Sequence, residues 1–287
     1  MAIAEGEHPV PSRTRKLSPP APMVLLWRRS GRVGRCRDFV NGRAARKGGP
    51  SAFHYAGRMS GPFHKKGRGG PRATAPTDGL SRAIQDEIRR TAPPGKDRDA
   101  MSRLARAIEL LDRDDPKGAA AEAEKAKVFA PRSGAVREVL GLAYYGLGRW
   151  QDALTELKAY KRISGRPDQN HLIADSLRGL GRPAEAVPLA EEVLRGKGIP
   201  NEAKAEAVIV AASALADQGR FAEALAFLGR AKTREDVAEG YTLRLWYVKG
   251  DILERAGRGE EAAQEFRRIM RHDASAYDAA ERLAAIS

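Results

Sequence analysis

Gly148-Arg149-Trp150-Gln151-Asp152-Ala153-Leu154 recurs as Gly181-Arg182-Pro183-Ala184-Glu185-Ala186-Val187 and as Gly219-Arg220-Phe221-Ala222-Glu223-Ala224-Leu225. A fourth copy is Gly257-Arg258-Gly259-Glu260-Glu261-Ala262-Ala263, and a worn fifth is Asp114-Asp115-Pro116-Lys117-Gly118-Ala119-Ala120. The copies start at 114, 148, 181, 219 and 257, so they are 34, 33, 38 and 38 residues apart. Self-similarity at such a period is the mark of a repeat architecture.

Each position of the heptamer has a physical reading. The glycine belongs just past a helix end, where a left-handed conformation is needed. The acid that follows opens a second helix and suits the positive end of its dipole. The alanine marks a close helix crossing that a larger side chain would force apart. An apolar helical stripe precedes each glycine, as in Val139, Leu140, Ala143, Tyr144 and in Ile173, Ala174, Leu177, Leu180. A second stripe follows each alanine, as in Leu154, Leu157, Tyr160 and in Ala224, Leu225, Leu228.

The unit is therefore helix A, a tight turn and helix B. One such hairpin cannot bury its own faces, and stacking several builds a continuous core. The spacings of 38 leave room for a longer loop at 195–201 and a longer helix A near 237–255. The expected fold is all-α: a right-handed α-solenoid of about five hairpins over 100–287, closed by a C-terminal capping helix. In that cap, from Ser275, Tyr277, Ala280, Leu283 and Ile286 are expected inward, with Asp278, Glu281 and Arg282 outward. Residues 81–91 read as a short helix with Ala83, Ile84 and Ile88 on one face, and 81–99 as a linker ended by Pro93-Pro94-Gly95.

Composition separates the array from what precedes it. Of 287 residues, 42% are hydrophobic but only 6% aromatic. Alanine supplies much of the apolar share, and it loses no side-chain entropy in a helix. The net charge of +14 is uneven: residues 1–99 hold 21 Lys and Arg against 8 Asp and Glu, the rest 30 against 29. Residues 1–80 contain 12 of the 29 Gly and 9 of the 17 Pro, without an apolar period, so they read as a disordered basic arm. Its clusters are Arg28 and Arg29, Arg35 and Arg37, Arg43, Arg46 and Lys47, and Lys65, Lys66 and Arg68. Such a stretch reads as a contact for RNA, DNA or ribosome, weakened by salt through counterion release, or as a solubilising tail. Residues 1–58 also read as an over-extended start, with Met59 as the native one.

The single cysteine, Cys36, forms no internal disulfide and points to a reducing cytoplasm. No run approaches the ~18 apolar residues of a membrane span. Walker, Gly-x-Ser-x-Gly and His-Glu-x-x-His motifs are absent from the sequence. The expectation is a non-catalytic protein without cofactor or metal.

Residues 134–165 resemble a tetratricopeptide repeat, with Leu140-Gly141, Tyr144, Gly148, Ala153, Leu157 and Tyr160 at the signature positions. Tyr160 departs from the usual small residue. The resemblance extends over roughly 100–272. The stretches 154–182 and 244–257 also resemble an actinobacterial family of such proteins with a basic, Gly/Arg-rich N-terminus. The resemblance implies a scaffold that binds a protein partner, as a peptide or helix, along a concave groove lined by helix A. Projecting the repeat register onto the chain gives groove positions Glu138, Leu142 and Tyr145, then His171, Asp175 and Arg178, then Ile209 and Ser213, then Arg244, Tyr247 and Asp251. Relatives that clamp a C-terminal carboxylate use Lys and Asn where Glu138 and Leu142 stand, which argues against that ligand. Asp168 is expected to cap the third helix A, and His171 has no partner for a metal. Of Trp246 and Tyr247, one is expected in the core and the other toward the groove.

Overall fold

The computed structural model describes residues 80–231 and 240–286. Residues 1–79 of the basic arm, with all its clusters, lie outside those residues; Leu80, read as the last residue of the arm, is instead buried in the core of the array. The described residues form α-helices and one 3₁₀ turn: α1 (Arg82–Thr91), α2 (Asp97–Asp112), α3 (Pro116–Phe129), α4 (Gly134–Gly146), α5 (Trp150–Ser164), α6 (Asn170–Gly179), a 3₁₀ turn (Pro183–Glu185), α7 (Ala186–Arg195), α8 (Asn201–Asp217), α9 (Phe221–Leu228), α10 (Gly240–Arg255), α11 (Gly259–His272) and α12 (Ala279–Ile286). No strand occurs among them. The A helices are α2, α4, α6, α8 and α10; each is followed by its helix B, giving five hairpins.

All five heptamers make the same backbone turn. Gly148, Gly181, Gly219 and Gly257 are left-handed, at φ of 71–75°. The N–H of the following arginine then donates to a carbonyl five residues back: Arg149 to Tyr144 (2.9 Å), Arg182 to Leu177 (2.8 Å), Arg220 to Leu215 (3.0 Å) and Arg258 to Leu253 (2.9 Å). This six-to-one bond satisfies a carbonyl the helix end would otherwise leave open. The worn copy does the same, with Asp115 N–H on the Leu110 carbonyl at 2.8 Å and Asp114 at φ 58°. An L-residue is disfavoured there, aspartate less than most. Asp114→Gly is therefore expected to stabilise the protein by about 0.5–1 kcal/mol. A urea midpoint that falls instead would contradict the turn.

The acid in each copy does more than meet a dipole. Arg149 pairs with Asp152, Arg182 with Glu185, Arg220 with Glu223 and Arg258 with Glu261, each across three residues on the surface. The small residues Ala119, Ala153, Ala186, Ala224 and Ala262 have no exposed surface, as a close crossing requires. A Cβ added to Gly141 would fall 2.7 Å from Leu157, and one on Gly250 2.8 Å from Phe266, so the crossings have no slack.

The helix over 82–91 is part of the array's packing. Ile84 and Ile88 are buried in the core of the first hairpins, while Ala83 points outward, against expectation. Ile84 stands three positions after Ser81, the N-cap, and the turn of about 100° per residue carries Ala83 off that face. Glu87 Oε1 accepts from Ser133 Oγ (2.7 Å) and from Ala135 N–H (3.2 Å), so α1 caps the start of α4 from outside.

Two further expectations are corrected. Asp168 does not cap α6, which begins at Asn170 with Gln169 as N-cap and no side-chain bond. Its carboxylate accepts from Tyr160 Oη at 3.0 Å and pairs with Arg166 at 2.7 Å. The large residue at 160 thus reaches a partner that a small one could not. At the C-terminus Tyr277 is left-handed, at φ 57°, and α12 starts only at Ala279. That kink rotates the face: Asp278 and Arg282 turn toward α10, while Ala280 is exposed. Tyr277, Leu283 and Ile286 pack inward as expected.

The apolar core has two large parts. One runs from Leu80 to Leu177, the other from Ala190 to Ala279. Between them lies a small layer of Ala174, Ala186, Val210 and Ala214.

Candidate binding face of the A helices

Polar side chains near the ends of successive A helices meet in one chain of bonds. It starts on α4, where half-buried Tyr145 donates from Oη to Asp175 Oδ2 at 2.7 Å. Its ring meets Trp150 edge-on, with centroids 5.4 Å apart. Asp175, on α6, has no exposed surface, and its Oδ1 takes Arg178 Nη1 at 2.6 Å, one turn along the same helix. Arg178 Nε continues to Asp217 Oδ2, at the end of α8, at 2.8 Å. Asp217 Oδ1 takes Arg255 Nη2, at the end of α10, at 3.2 Å. Arg255 also lies 3.5 Å from Asp251, whose other oxygen is 3.0 Å from Arg282 on α12. Arg282 then donates to Glu254 (2.6 Å) and to Tyr247 Oη (3.2 Å), and Tyr247 Oη donates to Asp278 at 2.6 Å. The series links four A helices and the cap.

A second polar set lies deeper. Glu138 is fully buried on α4, and its Oε1 accepts from Gln169 Nε2 at 2.7 Å. Glu206, fully buried on α8, pairs with Arg244 on α10. Burial pushes the Glu206 carboxyl above its usual range, and the Arg244 charge only partly offsets that. Burial works against Arg244 too, but Glu206 and its neighbours keep it firmly protonated. His171 is 2% exposed, with Nδ1 3.0 Å from the Asp168 carbonyl. Burial pushes its pKa down to about 4, so the ring is neutral at physiological pH. Burial and then Asp175 raise the Tyr145 hydroxyl far above its usual range, fixing it as a donor.

The positions read from the repeat register thus fall into two groups. Leu142, Tyr145, Ser213 and Asp251 keep half-exposed surface. Glu138, His171 and Asp175 are sealed among polar partners, and Arg178 and Arg244 show only the edge of their side chains. Ile209 has no exposed surface and sits in the second core, leaving nothing for a ligand to touch. Trp246 and Tyr247 are both buried, where one was expected to face outward. Trp246 stacks under Arg268 (4.0 Å) and beside His272, and Tyr247 packs between Phe266 and Tyr277. Their helix is covered on both sides, by α11 and by the lead into α12. Sequence reasoning missed Asp217, Glu254 and Arg255, and it placed Asp278 and Arg282 on the outer face of the cap rather than against α10. The available signal was opposite charge at helical spacing in the last turn of helix A, as in Asp251 and Arg255.

Among the described residues no group of three or more His, Cys, Asp or Glu could hold a metal ion. No helix among them is long and apolar enough to cross a membrane.

The chain is similar in fold to several solved structures. TTC0263, a thermophilic TPR protein of Thermus thermophilus, is 16% identical with a TM-score of 0.53, over 65% of this chain and 98% of that one. Human IFIT1, solved as a dimer with m7Gppp-AAAA, is 16% identical with a TM-score of 0.50, over 71% of this chain and 50% of that one. YrrB, described as a TPR protein with an unusual peptide-binding site, is 17% identical with a TM-score of 0.46, over 71% and 97%. At these identities the likeness concerns the fold alone. No curated protein matches the chain. The tetratricopeptide repeat model matches residues 104–167, 171–236 and 235–279, more than half of the chain and all five glycine-type turns. The chain belongs to the tetratricopeptide repeat family.

Proposed function

We propose that this protein is a non-catalytic scaffold that binds a partner's peptide or helix along the face shared by its A helices. The observation that supports the reading is the convergence of polar groups from α4, α6, α8, α10 and α12 on that one face. Tyr145 and Asp251, members of that series, keep half-exposed surface, as do Leu142 on α4 and Ser213 on α8, and together they give a ligand both apolar and hydrogen-bonding contact. Because the charges are already paired, their side chains are held in place, and a ligand need not pay to order them. The series sets five carboxylates (Asp175, Asp217, Asp251, Glu254, Asp278) against the guanidinium groups of Arg178, Arg255 and Arg282. That surplus favours a segment carrying Lys or Arg over an acidic one.

The test is a peptide-display selection against the full chain, followed by titration with the best binder. Ser213→Arg adds bulk and positive charge at a half-exposed position of α8. It is expected to weaken a selected peptide at least about tenfold, the worth of one good interface contact. Amide shifts on binding should map to α4, α8 and α10. Binding that is indifferent to Ser213→Arg and maps to the B helices would overturn the proposal.

A further inference from the structure

The two-part core has a mechanical consequence. The first part ends on Leu172, Ile173 and Leu177 of α6, and the second begins on Ala190 and Val193 of α7. The boundary therefore falls inside the third hairpin, between its own two helices. What spans it is mostly alanine, joined by half-buried Leu189 of α7, which packs against both this layer and the first core. Alanine methyls bury far less apolar area than the Leu, Ile and Phe side chains on either side, so the boundary is held more weakly.

Other features of the same hairpin agree. The second helix of the other hairpins starts as an α-helix directly after the turn. Here a 3₁₀ turn, Pro183–Glu185, comes first and has no buried residue. Beside it lies an open cavity of about 360 Å³, between Val187 of α7, Leu215 of α8 and Phe227 of α9. The loop from α7 to α8 carries Gly196 and Gly198, the latter left-handed. Polar contacts cross the boundary on both sides. On the A side Arg178 joins Asp175 to Asp217. On the other side Asn170 Nδ2 donates to the Leu189 carbonyl (3.2 Å) and to Glu192 (3.0 Å), and Lys161 also bonds to Glu192 (2.5 Å).

We infer that the third hairpin is a joint: a block of α1–α6 and a block of α7–α12 swing about the contacts around Glu192, and the Arg178–Asp217 pair is the latch that holds them closed. Opening the latch separates the ends of α6 and α8 and widens the A-helix face. The inference concerns the array alone and needs no ligand, so it stands or falls apart from the proposed function.

The test measures distances between spin labels in the full chain, with Cys36→Ser as background. Val128 on α3 and Gln264 on α11 are exposed, so Val128→Cys with Gln264→Cys spans the joint. Val128→Cys with Gln151→Cys stays within the first block, and Ala222→Cys with Gln264→Cys within the second. Asp217→Ala should broaden or lengthen the spanning distribution and leave both internal ones unchanged. An unaltered spanning distribution, or equal broadening of all three, would overturn the joint. Should Asp217→Ala fail to fold, the unsubstituted latch can still be tested. Trp150 belongs to the first block and Trp246 to the second, and Trp27→Phe removes the remaining tryptophan. In Trp27→Phe proteins that also carry Trp150→Phe or Trp246→Phe, the fluorescence of the remaining tryptophan and the far-ultraviolet circular dichroism of the same sample should give different urea midpoints. Coincident midpoints would overturn the inference.

Discussion

Arg178→Met should cost about 3–5 kcal/mol of stability, the range for removing one partner of a buried ion pair. The Arg178 side chain is 8% exposed and Asp175 is not exposed at all. Without the guanidinium, Asp175 would keep only the Tyr145 hydroxyl, and Asp217 would keep only Arg255. The carboxylate of Asp175 would then be desolvated and uncompensated, which is the expensive part. Two comparisons make the expectation specific. Adding Asp175→Asn to Arg178→Met removes the stranded charge and should restore at least half of the loss. Arg220→Met breaks a pair of similar geometry that lies in solvent, and it should change the urea midpoint very little. Equal losses from Arg178→Met and Arg220→Met would contradict the burial argument.

His171 should make the fold sensitive to mild acid. In the unfolded chain its pKa is near 6.5; in the fold burial pushes it down to about 4. Above pH 6.5 the ring is neutral in both states, and the group contributes nothing to the pH dependence. Between 6.5 and 4 the unfolded chain binds the proton and the fold refuses it, so stability falls as pH falls. The difference reaches about 2 kcal/mol at pH 5 and about 3 kcal/mol at pH 4, where it levels off. Arg244 adds to the effect, because its charge also opposes a proton on the ring. Carboxylates titrate in part of the same window, so the informative quantity is a difference between proteins. Urea titrations at pH 7.5 and pH 5 should show a markedly flatter dependence for His171→Asn than for the parent. Parallel losses in the two proteins would show that His171 is not kept neutral by the fold.

The turns were legible in the sequence because they are local. A left-handed residue followed by a six-to-one bond is fixed within seven residues, and even the copy with Asp114 in place of glycine obeys it. The five alanines were legible for the same reason. The binding face was less so, because it depends on how hairpins stack. α8, read as NEAKAEAVIVAASALAD, is small and apolar nearly all round, so its sequence does not say which side is core. The repeat register alone puts Ile209 toward the groove, though α8 is packed on almost every side. The cap was misjudged through a non-glycine residue, Tyr277, in a left-handed conformation that no local rule marks. Asp168 has the form of a helix cap, but Tyr160 and Arg166 engage its carboxylate instead. In each case a tertiary partner overrode a local preference.

The account rests on the claim that the charges of the A-helix face are committed to one another as the spine of the array. A double-mutant cycle on Arg178 and Asp217 tests it most directly. Arg178→Met, Asp217→Ala and the double variant would be compared with the parent by urea unfolding at pH 7.5. A shielded pair, with side chains 8% and 16% exposed, predicts a coupling of about 1.5–3 kcal/mol. A coupling below about 0.5 kcal/mol, as for ions that merely face water, would contradict it.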